Sequence, residues 1–121
     1  MAKKILIVED ETDLSLLCKT QLEKAGYDVV PAYDGEQGLK LAQTVAPDLI
    51  LLDLKLPLLD GLNICETLKS DEKFKQIPII ITSARKSDYE RELGLSLGAD
   101  AYFVKPYDMA ELLEKIKALV Q

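Results

Sequence analysis

Five short apolar runs, each closed by a polar residue and each followed by a stretch with helical spacing, constrain this chain more than any other feature. Residues 5–8, 49–52 and 79–81 hold only Ile, Leu and Val. They are too short for buried helices and do not alternate with polar residues, so they read as strands covered on both faces. Val29-Val30 and residues 101–104 supply two weaker runs. Between the runs, apolar residues recur at helical intervals. Leu14, Leu17, Cys18, Gln21, Leu22 and Ala25 form one stripe, with Gly26 as its stop. Leu39 and Ala42 form a second, with Gly38 allowing close packing, and Leu62, Cys65 and Leu68 a third. Tyr89, Leu93 and Leu97 form a fourth, and Met109, Leu112, Leu113, Ile116 and Val120 a fifth. Helix starts are marked at Asp34–Gln37, Ser87–Glu90 and Asp108–Glu111 by an acceptor followed three residues on by Gln or Glu. Strict alternation of strand and helix with short connections predicts an α/β fold, a parallel sheet with helices on both faces. Neither a linker nor a repeat interrupts residues 1–121, so one domain fills the chain.

Composition narrows the chemistry. The formal charge is −6, from 15 basic and 21 acidic residues, which argues against a basic face for nucleic acid. With no His there is no imidazole metal ligand and no Ser-His or Cys-His nucleophile. Cys18 and Cys65 lack metal-site spacing and fit small apolar roles in a reducing cytoplasm. No run approaches 18 apolar residues, and the apolar stretch after Lys3-Lys4 is too short for a signal peptide, so no membrane role is expected.

In an open parallel sheet, ligands bind beyond the carboxyl ends of the strands. The residues found there are Glu9 and Asp10 after the first run, Asp53 after the third, Thr82 and Ser83 after the fourth, and Lys105 after the fifth. Singly, each has an ordinary reading: an acidic helix start, a capping hydroxyl, a surface lysine. Jointly, they bring three carboxylates, hydroxyls and one ammonium to one rim. Two carboxylates about 4 Å apart repel by roughly 4 kcal/mol at an effective dielectric near 20. A hard divalent ion relieves that repulsion, and an oxygen-only ligand set points to Mg²⁺. Such a site suits phosphoryl transfer, with Asp53 central and able to attack phosphorus.

With those residues placed, the chain resembles the receiver domain of two-component response regulators, over essentially its whole length. The motifs are Ile7-Val-Glu-Asp10, Asp53-Leu-Lys-Leu-Pro57 followed by Asp60-Gly61, Ser83-Ala84, and Lys105-Pro106 after Tyr102-Phe-Val. The intervals from 53 to 83 and from 83 to 105 agree with that family. The resemblance implies a flavodoxin-like, doubly wound (βα)5 sandwich with a five-stranded parallel sheet in the order 2-1-3-4-5. It implies that Asp53 is the phosphoacceptor, that Asp10 binds Mg²⁺ directly, and that Glu9 is a water-mediated or outer ligand. Lys55 would add its backbone carbonyl. Ser83, preferred over Thr82 for its interval and the Ala84 that follows, would be the switch hydroxyl. Lys105 would pair with Asp53 at rest and with the phosphoryl group later, Tyr102 would be the switch aromatic, and the Lys105–Pro106 bond would be cis. Lys55 and Arg85 would tune how fast water reaches the phosphoryl group. Glu9 and Ser83 stand where Asp and Thr are common, departures that adjust the site without disabling it.

The implied function is to accept a phosphoryl group from a sensor histidine kinase, a phosphotransfer protein or a small acyl phosphate, and to switch the surface of the fourth helix, fifth strand and fifth helix for an effector. Such a chain is no conventional enzyme; it catalyses its own phosphorylation and dephosphorylation. Since residues 108–120 make the last helix, no output domain is expected within the chain, which leaves a stand-alone receiver or one excised from a longer protein. Leu95 and Leu119, off their main stripes, are candidate partner or homodimer contacts. The alternatives are a phosphorylation-independent interaction module, a hydrolase of the haloacid dehalogenase type, which Lys55 disfavours by standing where a second Asp is needed, and a flavin binder, disfavoured by the lack of a Ser/Thr/Gly-rich loop after the first run.

Overall fold

The computed structural model describes residues 2–84 and 88–121. Its strands are β1 (Lys4–Val8), β2 (Asp28–Ala32), β3 (Leu49–Asp53), β4 (Ile79–Ser83) and β5 (Ala101–Val104). They alternate with α1 (Thr12–Lys24), α2 (Gly35–Thr44), α3 (Gly61–Lys69), α4 (Asp88–Ser96) and α5 (Met109–Val120). All neighbouring strands are parallel, in the order β2-β1-β3-β4-β5, as the resemblance implies.

The period of two along a strand divides the apolar runs between two cores. Leu6, Val8, Ile50, Leu52, Ile79 and Ile81 face α2, α3 and α4, where they meet Ala42, Ile64, Cys65 and Leu68. Ile5, Ile7, Leu49, Leu51 and Ile80 face α1 and α5, where they meet Cys18, Leu22, Leu112 and Ile116. Both faces are covered, which is why these runs are continuously apolar. Asp34, Asp60 and Asp108 cap α2, α3 and α5, accepting from the backbone N–H of Gln37, Asn63 and Ala110 at 2.7, 3.0 and 2.8 Å. Gly26, at φ +99°, turns the chain after α1.

Four expectations are adjusted. β2 continues through Pro31 to Ala32, which its place at the sheet edge permits, because Pro lacks only a donor that β2 does not need on its open side. α1 buries Ser15, Cys18 and Leu22, and leaves Leu14 and Leu17 40% and 58% exposed. Small side chains at 15 and 18 let that row settle on the sheet, so the neighbouring leucine row rotates outward. In α4, Gly94 rather than Tyr89 meets the sheet, and Tyr89 is 74% exposed. Leu119 is half-buried against the α1/α5 core rather than fully turned to solvent, whereas Leu95 is exposed. Ser87 and Arg85 lie outside the described residues, and with them the Ser87 cap and the Lys55–Arg85 pairing. No described helix is long and apolar enough to cross a membrane.

Candidate functional site

Every strand of a parallel sheet ends at the same rim, and the backbone ladder runs slightly past the strands there. Glu9 donates its N–H to Ala32 O at 3.0 Å, Leu54 to Thr82 O at 2.9 Å and Lys105 to Ser83 O at 2.7 Å. The side chains of Glu9, Asp53 and Lys105 therefore leave from hydrogen-bonded backbone, which fixes their starting positions. Gly61 tightens the same region: its N–H donates to Leu54 O at 2.9 Å, and a Cβ there would lie 2.3 Å from the carbonyl oxygen of Asp53.

The three acids converge. One carboxylate oxygen from each of Glu9, Asp10 and Asp53 lies within 4.8 Å of the others. Glu9 and Asp53 are buried, and Asp10 is exposed, so the cluster opens to solvent on one side. The Lys105 ammonium lies between the two buried acids, with Nζ 2.5 Å from Glu9 Oε1 and 3.2 Å from Asp53 Oδ2. The other Glu9 oxygen accepts from the N–H of Glu11 at 3.1 Å. The resemblance implied the Lys105–Asp53 pair but not the shorter Lys105–Glu9 one. These residues are 96 positions apart, and only the β5–β4–β3–β1 order brings them together.

One ammonium does not balance three carboxylates. Burial, with Glu9 beside it, raises the Asp53 carboxyl to about 6, and Lys105 offsets only part of that. Burial pulls the Lys105 ammonium down, but its bonds and attraction to Glu9 and Asp53 outweigh this and raise its pKa. A partly buried, oxygen-only donor set with surplus negative charge and one open side fits a hard divalent cation such as Mg²⁺.

Ser83 and Thr82 are both buried but face opposite ways. Ser83 alternates with Ile79 and Ile81, on the face where Tyr102 packs half-buried. Thr82 lines a groove of roughly 580 Å³ on the α1/α5 side with Leu14, Leu17, Cys18, Tyr107 and Met109. That groove reaches Glu9 and Lys105, and the exposed α1 leucines form its rim. The leucine-rich row from 14 to 17 is visible in the sequence, but reads there as core. Lys55 is exposed and shares a second concavity with Asp10, Pro57 and Asp60. The Lys105–Pro106 bond is cis.

Residues 5–117 match the family model described as the response regulator receiver domain. Among curated proteins, the chain is 46% identical over 118 residues to the response regulator ArlR of Staphylococcus saprophyticus, covering 98% of this chain and 52% of that one. It is 43% identical over 121 residues to the alkaline phosphatase synthesis transcriptional regulatory protein PhoP of Bacillus subtilis, covering all of this chain and 50% of that one. The chain thus spans about half the length of the curated relatives it matches. Among solved structures, the receiver domain of the Francisella response regulator 1452 superposes with a TM-score of 0.91 at 32% identity, covering 98% of this chain and 96% of the other.

Proposed function

For a chain that belongs to the response regulator receiver domain family, we propose a phosphoacceptor role in which Asp53 takes a phosphoryl group and the change is relayed to the surface of α4, β5 and α5. The observation that carries this reading is the Lys105 ammonium bound to both Glu9 and Asp53 beside the three-acid cluster.

Asp10, Asp53 and the backbone carbonyl of Lys55 would hold Mg²⁺, with Glu9 acting through water. The ion supplies neutralisation of charge on the transferring phosphoryl oxygens. A carboxylate oxygen of Asp53 attacks phosphorus in line. The bond from phosphorus to the donor breaks: a nitrogen of the kinase or phosphotransfer protein's phosphohistidine, or an oxygen of a small acyl phosphate. Its electron pair leaves with the donor. Lys105 moves with the charge, from the Asp53 carboxylate to the phosphoryl group, and the Ser83 hydroxyl donates to another phosphoryl oxygen. Ser83 leaves the face it shares with Tyr102, and Tyr102 turns inward behind it. α4 is suited to follow, because among its described residues only Gly94 is buried, and Glu90 and Leu93 are half-buried. Water later attacks phosphorus, the bond from phosphorus to the Asp53 oxygen breaks with its electron pair returning to the carboxylate, and inorganic phosphate leaves.

The reader of that surface is an attached output domain or a separate effector protein. The relatives' own length beyond the matched half favours the first. The donor side is the α1 groove, which joins the site at Glu9 and Lys105 and offers Leu14 and Leu17 to an apolar partner surface. Leu17→Asp should therefore slow phosphotransfer from the cognate histidine kinase at least tenfold and leave phosphorylation by a small acyl phosphate within twofold. Equal loss with both donors would remove the groove from the docking surface.

The direct test is mass spectrometry after treatment with Mg²⁺ and a small acyl phosphate. One hydroxylamine-labile phosphoryl group on the peptide carrying Asp53 is expected, and an unmodified protein would refute the reading. Mg²⁺ alone, at a hundred times its dissociation constant, should raise the unfolding free energy by about 2.7 kcal/mol. Chelation should reverse the gain, which urea titration with and without EDTA measures.

A further inference from the structure

The segment after Asp53 is braced from α2. The carbonyl of Pro57 accepts from the N–H of Leu59 at 2.8 Å, which closes a three-residue turn. Its central residue, Leu58, has φ +71°. A γ-turn with positive central φ is rare and strained for any residue with a Cβ. Packing of Leu58 does not hold it, since that side chain is 70% exposed.

What holds it comes from Gly35, the first residue of α2. Its N–H donates to the same Pro57 carbonyl at 3.0 Å. Its missing Cβ leaves room for Leu59: a Cβ at 35 would lie 1.7 Å from Leu59 O and 2.7 Å from Leu59 Cβ. Because the nearest atom is backbone, no rotamer change could make room. α2 is itself fixed at that end. Asp34 accepts from the N–H of Gln37, and Gln37 Oε1 accepts from the N–H of Tyr33 at 2.8 Å. Residues 54–60 are thus held between two close-approach glycines, Gly61 against the Asp53 carbonyl and Gly35 against the Leu59 carbonyl.

We infer that Gly35 is a positioning residue for cation uptake and phosphoryl transfer at Asp53, through its contact with the Pro57–Leu59 turn. The inference rests on the proposed role of Asp53 and of the Lys55 carbonyl. That carbonyl lies two residues before the braced turn, so displacing the turn displaces it relative to the carboxylates.

The test follows the Asp53 amide by NMR during Mg²⁺ titration of metal-free protein. Wild type should give a saturable shift; if it gives none, the proposed function itself fails. Gly35→Ala should raise the Mg²⁺ midpoint at least tenfold. Leu58→Gly in that background should recover at least half of the loss on a logarithmic scale, because a glycine lets the turn yield to the added methyl. Gly98→Ala, strained at φ +108° at the opposite edge of the sheet, should destabilise the fold but leave the midpoint within twofold. A folded Gly35→Ala protein with the wild-type midpoint overturns the inference. If Gly35→Ala does not fold, hydrogen exchange in wild type decides. Coupling is reciprocal, so saturating Mg²⁺ should slow exchange of the Gly35 amide at least threefold, and equal rates overturn the inference.

Discussion

Asp53→Asn should take up no phosphoryl group from any donor, and in the absence of metal it should be more stable than the wild type at pH 8. The first effect follows from chemistry: the amide oxygen of Asn is not the nucleophile that a carboxylate is. The second follows from the raised Asp53 pKa, which burial and Glu9 push from 3.8 to about 6. The folded state binds this proton more tightly than the unfolded chain. The destabilisation is therefore fully present above pH 6, shrinks as pH falls through about 6, and is gone below 3.8. A rise of that size is worth at most about 3 kcal/mol. Urea titrations between pH 4 and 8 should show wild-type stability falling with rising pH through that window, while Asp53→Asn lacks this component. Phosphoryl incorporation into Asp53→Asn would remove Asp53 from its role, and an unchanged pH slope would show that its carboxylate is not strained by its neighbours.

Lys105→Met keeps the apolar stem and removes the charge, leaving Glu9 and Asp53 facing each other without their shared cation. Removing one partner of a buried ion pair costs about 3 kcal/mol at neutral pH. The cost should shrink near pH 5, where protonation relieves the repulsion. Phosphorylation by a small acyl phosphate should slow at least about a hundredfold, the usual scale for losing one donor to transition-state charge. Mg²⁺ should bind more tightly, because its competitor for the carboxylates has gone. Lys69→Met separates these effects from simple damage. The Lys69 ammonium donates to the carbonyls of Lys75 and Ile77 and pairs with Asp100 at the other end of the sheet. That variant should lose stability with no change in phosphorylation rate. Normal phosphorylation of Lys105→Met would leave Lys105 as a structural tether only.

The strands at 5–8, 49–52 and 79–81 are legible in the sequence because a strand covered on both faces can carry no polar residue along its length. The first polar residue after each run must then stand near the rim, which is how periodicity alone picks out Glu9, Asp53 and Thr82, whereas the choice of Ser83 beside Thr82 comes from the family resemblance. Strand order comes from the family resemblance, since alternation alone permits several. α1 misleads because Leu14 and Leu17 form as regular a row as Ser15, Cys18 and Leu22, and spacing along one helix does not say which row turns inward. That is settled by how closely the helix approaches the sheet, and small side chains at 15 and 18 allow the closer approach. Glu9 on Lys105, and Gly35 on the Leu59 carbonyl, are equally hidden from the sequence. A residue's type and place along its own element follow from local periodicity, but its partner on another element depends on the rotation and separation of the two, which only the assembled cores determine.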